Sequence, residues 1–185
     1  RVETSTLDRQ THRALTQTGG NRMKVTTTRF GVTEIDDSSV VTLLRGPLGF
    51  EAQTRYCLIQ HRPDMKFRWL QSIEDPSLAF VVVEASEIVG NYEFEISDEE
   101  AQRLHLSDPA DTLALAIVTV DSDGSDVSAN LAAPILINTR KMIGAQLVLQ
   151  ENSYSVKHRL VEQSDRSSEA RSSTSGPKKA VSKAA

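Results

Sequence analysis

The sequence predicts an all-β fold with one short helix near residues 97–106, closed as a small antiparallel barrel or packed as a two-layer sandwich. Three observations carry that expectation. Short segments rich in Val, Ile and Leu recur between polar breaks bearing Gly, Pro, Asp and Ser, as strands do between turns. Residues 79–83 are five apolar residues in a row, three of them β-branched, the composition of a strand covered on both faces. Aromatic residues make up only 5% of the chain, so aliphatic side chains must fill the core.

Taken in order, residues 24–29 and 32–35 flank Phe30-Gly31 and predict a hairpin. Residues 36–39 form a turn and 40–44 a strand. Residues 45–51 hold two glycines and a proline around Leu48 and Phe50, a loop with an unusual backbone path and an aromatic at its end. Residues 56–60 are a strand containing Cys57, and 61–64 a turn. Residues 67–71 and 78–84 are paired strands across an acidic turn, where Pro76 cannot continue a central strand.

The helix begins with Ser97 as N-cap and Glu100 three residues later, a capping box. Asp98, Glu99 and Glu100 lie at the positive end of its dipole. Ala101, Leu104 and His105 are expected to face inward, and Ser107-Asp108-Pro109 stops the helix. Strands follow at 113–120, 127–131, 134–138 and 146–150, with a turn at 121–126 and a glycine-ended reversal at 139–144.

The 185 residues suit one domain with tails. Residues 1–22 and 162–185 each carry a net charge of +2, leaving −8 on residues 23–161. A domain this acidic repels nucleic acid and favours a basic partner. The segment 162–185 is dominated by Ser, Ala and Lys and is too poor in apolar residues to fold. The polar N-terminus resembles no secretion signal, and six residues is the longest clear apolar run, so neither export nor a membrane span is expected.

Chemistry is sparse. One cysteine, Cys57, can form no internal disulfide and no cysteine-based zinc site; placed mid-strand it is a small core residue. His12, His61, His105 and His158 share no ligand spacing, so no metal is expected. Asp121-x-Asp123-Gly124 has its glycine too early for a calcium loop, and Ala132 stands where a bidentate Glu is needed. No nucleophile elbow, phosphate loop or dinucleotide fingerprint is present, so the chain is read as a non-enzyme without cofactors.

The stretch Trp69-Leu70-Gln71-Ser72-Ile73-Glu74-Asp75-Pro76-Ser77-Leu78-Ala79-Phe80-Val81-Val82-Val83 resembles the block W-L-Q-S-x-x-D-P-x-L-A-F-V-V-V of the flagellar assembly factor (FliW) family. Residues 46–51 resemble its G-L-x-G-F-E block, with Pro47-Leu48 where Leu-Pro is more usual. Asn130, Leu131, Ala133, Pro134, Ile135, Ile137, Asn138, Gly144, Gln146, Val148 and Leu149 match a third block, and Tyr154, Ser155, His158 and Leu160 a closing one. The resemblance spans about 23–160. Family members begin near a Met-Lys pair, so Met23 is the expected native start and 1–22 an extension.

The resemblance implies a cytoplasmic, non-catalytic protein that works by partner switching. It would bind flagellin before export, and also the carbon storage regulator CsrA, relieving repression of flagellin message. A dedicated flagellin export chaperone is the alternative, and a barrel-based hydrolase a distant third. A monomer is expected, with no direct contact to nucleic acid or membrane. The partner-binding candidates are Phe50, Glu51, Trp69, Gln71, Ser72, Glu74, Asp75, Asn130 and Asn138. Among them Trp69 favours a core position over an interface one, Asn130 and Asn138 favour backbone bonding at strand ends, and Glu74 and Asp75 suit a solvated turn tip and a basic partner equally.

Overall fold

A computed structural model describes residues 21–124, 126–149 and 154–160. The expectations for residues 1–20, Gln150 and 162–185 lie outside these. Strand β1 (Arg22–Thr27) and β2 (Gly31–Asp36) form the first hairpin. Then come β3 (Val41–Leu43), β4 (Arg55–Ile59), β5 (Arg68–Ser72) and β6 (Ala79–Glu84). Two short helices follow, α1 (Ala85–Ile88) and α2 (Asp98–Arg103). The remaining strands are β7 (Thr112–Val120), β8 (Val127–Asn138), β9 (Ile143–Gln146) and β10 (His158–Arg159).

The strands close on themselves. The order β8-β7-β6-β5-β4-β3-β9 returns to β8, a seven-stranded barrel in which β3 and β9 are the parallel pair. Closure removes the edges that such apolar strands would otherwise offer to other chains. β10 lies outside the ring, against the first half of β8.

Alternation along each strand divides the apolar residues between two sides. Tyr56, Leu70, Val82, Leu115 and Ile135 point into the barrel and are fully buried. A barrel of this strand number is just wide enough for side chains to fill, so its interior is core and not a channel. Val83, Ala116, Val118 and Ala129 point outward and are covered by Ala85, Tyr92, Phe94, Leu104 and Leu106 from the segment holding both helices. Cys57 and Ile59 point outward on β4 and pack with Val25 of the β1–β2 hairpin. β6 is therefore apolar at consecutive positions because interior and helical layer each bury one of its faces. Each fully buried Leu or Ile contributes roughly 1.5–3 kcal/mol.

The structure changes several expectations. Residues 127–131 and 134–138 are one strand, with a bulge where Leu115 and Ile117 of β7 face Ile135 and Asn130 of β8. Pro134 supplies no N–H, and the bulge absorbs that gap in the ladder. The last barrel strand runs over 143–146, because Gly144 reaches the seam between β3 and β8. Helix α1 and strand β10 are additions. His105 is exposed with a φ of 53°, so it ends the helix instead of facing inward, and Leu106 takes the inward place. The capping box at Ser97 and Glu100 is formed as expected.

Candidate functional site

The acidic turn between β5 and β6 sits at one end of the barrel, beside the long connection from β3 to β4. It is built by its own short side chains. Ser72 Oγ accepts from the backbone N–H of Glu74 (3.2 Å) and Asp75 (3.1 Å). Asp75 Oδ1 accepts from the N–H (2.8 Å) and hydroxyl (2.7 Å) of Ser77. Those two bonds hold the Asp75 carboxyl below its ordinary value.

Gln71 lies beneath the turn. Its Nε2 donates to the carbonyls of Ser72 (2.9 Å) and Leu78 (3.0 Å) and points at those of Asp75 and Pro76. Two further anchors come from neighbours. Glu74 Oε2 accepts from the N–H groups of Thr54 (2.7 Å) and Arg55 (3.1 Å). Thr28, in the β1–β2 turn, donates both its N–H and its hydroxyl to the Pro76 carbonyl. Three connections thus converge, and the two carboxylates are fixed on a rigid frame. Their charge reaches inward as well. Burial first, and then the charges of Glu74 and Asp75, push the Tyr56 phenol up to about 12.

Phe50 belongs to the same end. It is 42% exposed and meets Phe80 edge-on at 5.3 Å between centroids. Gly46 makes its loop possible, because a Cβ there would lie 2.1 Å from the Phe50 carbonyl oxygen. Glu51 accepts from the Gly49 N–H and pairs with Arg45 at 3.5 Å, and backbone N–H groups, its own first, lower its pKa.

The sequence-derived candidates therefore divide. Phe50, Glu51, Glu74 and Asp75 reach the surface together at one end. Gln71 and Ser72 are fully buried, so they position the turn and offer a partner no side chain in this conformation. Trp69 is half-buried on the outer face of β5, with Phe30 edge-on at 5.7 Å and the Arg29 guanidinium 4.5 Å above its ring. It is mainly the floor of the hairpin. Asn138 is buried; its amide donates to the Leu104 and His105 carbonyls and accepts from the N–H groups of Arg140 and Lys141. Asn130 accepts from the Ala133 N–H inside the β8 bulge. Both asparagines serve backbone, the second of the two roles open to them.

Sequence reasoning placed Gln146 in the family's third block but gave it no role at this end of the barrel. Its Oε1 accepts from the Leu48 N–H (2.9 Å) and its Nε2 donates to the Ala133 carbonyl (3.1 Å), tying the Phe50 loop to the bulge. Its match to that block was the signal available; its partners, Leu48 far back in the chain and Ala133 in the bulge, are not legible from a glutamine near a strand end.

Among the described residues no group of three or more His, Cys, Asp or Glu is placed to hold a metal ion. None of the described helices is long and apolar enough to cross a membrane. Cys57 is buried, and that burial pushes its thiol up to about 11, far from a nucleophile's range.

The Asp75 shift gives a pH expectation. A carboxyl lowered in the folded state stabilises the turn fully above its ordinary value of 3.8, and the effect is lost as pH falls through the lower folded value. Carboxyl-carbon NMR should show Asp75 titrating below free aspartate. An ordinary titration would mean that the Ser77 bonds do not persist in solution.

Known proteins place the chain. The family model described as FliW protein matches residues 24–160. A flagellar assembly factor FliW of Geobacter sulfurreducens is 39% identical over 145 residues, covering 78% of this chain and 91% of the relative. That of Geotalea uraniireducens is 35% identical over 144 residues, covering 78% and 88%. A crystal structure of the flagellar assembly factor FliW superposes with a TM-score of 0.69 at 32% identity, covering 77% of this chain and 99% of that one. The barrel, its apolar β6 and the turn at 72–78 all fall inside the matched region, and the chain belongs to the FliW family of flagellar assembly factors.

Proposed function

We propose that this chain is a non-catalytic, cytoplasmic assembly factor that binds flagellin and, by partner switching, binds and antagonises CsrA. When flagellin is scarce the factor occupies CsrA and relieves repression of flagellin message; when flagellin accumulates it sequesters the factor. The observation that supports this best is the acidic end of the barrel in a chain of this family. Glu74 and Asp75 stand on a frame held by Gln71, Ser72 and two neighbouring loops. Residues 23–161 carry −8 overall. Docked on a basic RNA-binding protein, such a body lowers the positive potential that holds phosphates, even without covering the RNA site.

Calorimetric titration of the full chain against CsrA and against flagellin tests the reading, followed by competition. Binding to both, with flagellin stripping CsrA away, supports it. Binding to flagellin alone makes the protein a dedicated export chaperone. The acidic turn is tested separately with the pair Glu74→Gln and Asp75→Asn, which keep hydrogen-bonding oxygens while removing charge. RNA displacement by that variant should weaken about tenfold, equivalent to ~1.4 kcal/mol. Unchanged displacement by a folded variant would sink the role given to this turn.

A further inference from the structure

The β1–β2 hairpin lies on the barrel without joining it. Its two strands pair with each other and, among the described residues, with no strand of the barrel's sheet. Its hold is side chain on side chain. Val25, Phe30 and Ile35 sit on Cys57, Ile59 and Trp69, on the outer side of β4 and β5. That cluster is small beside the two that fill the barrel and its helical layer. A two-stranded hairpin by itself is marginal in water. The hairpin is therefore a part of the fold that can open while the ring stays closed. A pivot is present. Between β2 and β3 stand one turn of 3-10 helix, Asp37–Ser39, and Val40, and the ladders of β3 begin only at Val41.

The surface beneath the hairpin is tied to the acidic turn. Cys57 is fully buried there and faces Gln71 across the β4–β5 ladder. Gln71 is fully buried too, and its Oε1 has no hydrogen-bond partner among the described residues. Opening would give that oxygen water, which offsets part of what exposing the apolar cluster costs. The hairpin's own turn reaches the acidic turn directly. Thr28 donates its N–H (2.9 Å) and its hydroxyl (3.0 Å) to the Pro76 carbonyl. Gln71 Nε2 points at the same oxygen from the covered side, at 3.4 Å. Lifting the hairpin withdraws both Thr28 donors at once. Order in the hairpin thus favours order in the acidic turn, and such a coupling runs equally in both directions.

We propose that the hairpin is a hinged strap. It opens as a unit about residues 37–40 and uncovers the outer face of β4 and β5. Its closure is coupled, through Thr28 and Pro76, to the order of the acidic turn. A ligand of the turn would hold the strap shut, and a ligand of the uncovered face would loosen the turn. The inference goes beyond the function proposed above and does not depend on which partner the turn meets.

Cys57 is the chain's one cysteine, so thiol labelling reads the strap directly. The full chain is treated with a chromogenic disulfide reagent over a series of low urea concentrations. Labelling under native conditions is expected, at a rate nearly independent of urea, as for an opening that exposes little surface. Thr28→Val, at an exposed position, should raise that rate about fivefold. Thr26→Val, also exposed but without a bond to the turn, should leave it unchanged. Asp75→Ala removes the acceptor of both Ser77 bonds and leaves the hairpin's own contacts in place, and it should raise the rate about threefold. Amide exchange on β6 and β7 should stay at the wild-type level in all three variants, which separates a lifted strap from a lost fold. The proposal is overturned if Cys57 reacts only at the rate and urea dependence of global unfolding. It is overturned equally if Thr28→Val reacts no faster than Thr26→Val, if Asp75→Ala leaves the rate unchanged, or if β6 and β7 lose protection along with the hairpin.

Discussion

Replacing Arg68 with Met should lower the unfolding free energy by about 3–5 kcal/mol, and replacing Glu84 with Leu in addition should restore most of it. Arg68 opens β5 with its side chain on the same face as Leu70, so it points into the barrel. Its side chain is 8% exposed and that of Glu84 is 20% exposed, and Arg68 Nη2 donates to Glu84 Oε1. Single removal leaves a carboxylate among apolar strands with its principal cation gone. The double replacement removes the stranded charge as well as the bond. Other ion pairs do not share this leverage. Arg22–Glu34 has side chains 77% and 52% exposed, and a pair of that kind contributes about 0–1 kcal/mol. Urea midpoints of the two single variants and the double variant measure the coupling. A loss below about 1 kcal/mol for Arg68→Met would mean that water reaches the pair and that it does not organise this end of the barrel.

How far the sequence could be read follows from which signals are local. The strand over 79–84 was legible because consecutive β-branched residues say that both faces are covered. Helix α2 was legible because its capping box is written in residues 97–100. The hairpin at Phe30-Gly31 was legible from turn chemistry. The β8 bulge was not. Ala132-Ala133-Pro134 reads as a break between two strands, and only the ladder with β7 shows one strand continuing through it. β9 was displaced because Gly144 looks like turn punctuation, whereas here it marks close backbone approach. At the site, the acidic turn could be located but the roles within it could not. Gln71, Ser72, Glu74 and Asp75 are adjacent polar residues of similar chemistry. Which are buried depends on β5 pleating and on Thr54, Arg55 and Thr28, which arrive from elsewhere in the chain. The family resemblance pointed to the right protein class and left those roles open for the same reason.

Gly144→Ala should cost about 3 kcal/mol, at the upper end of what overpacking a core does, and should open the barrel at one place. A Cβ at Gly144 would lie 2.6 Å from the Leu136 carbonyl oxygen, with Leu43 and Ile137 side-chain carbons at 3.0 and 3.1 Å. The side chains can give way. The carbonyl belongs to β8 and moves only if β8 and β9 separate. Gly31 supplies the contrast. Nothing lies within 4 Å of its Cβ position, so Ala there meets only the strain of a φ of 68°, roughly 1–2 kcal/mol. Hydrogen exchange separates a local opening from a global loss. The Thr42 and Leu44 amides donate to the Met142 and Gly144 carbonyls, both at 2.8 Å, and they should lose protection in Gly144→Ala while β6 and β7 keep theirs. A uniform rise in exchange would show that the seam is no weaker than the rest of the ring. The same substitution tests the fastening of the Phe50 loop, because Gln146 ends the strand that Gly144 seats. If the seam opens, the Leu48 N–H loses its acceptor, and the Phe50 loop should lose protection together with the seam.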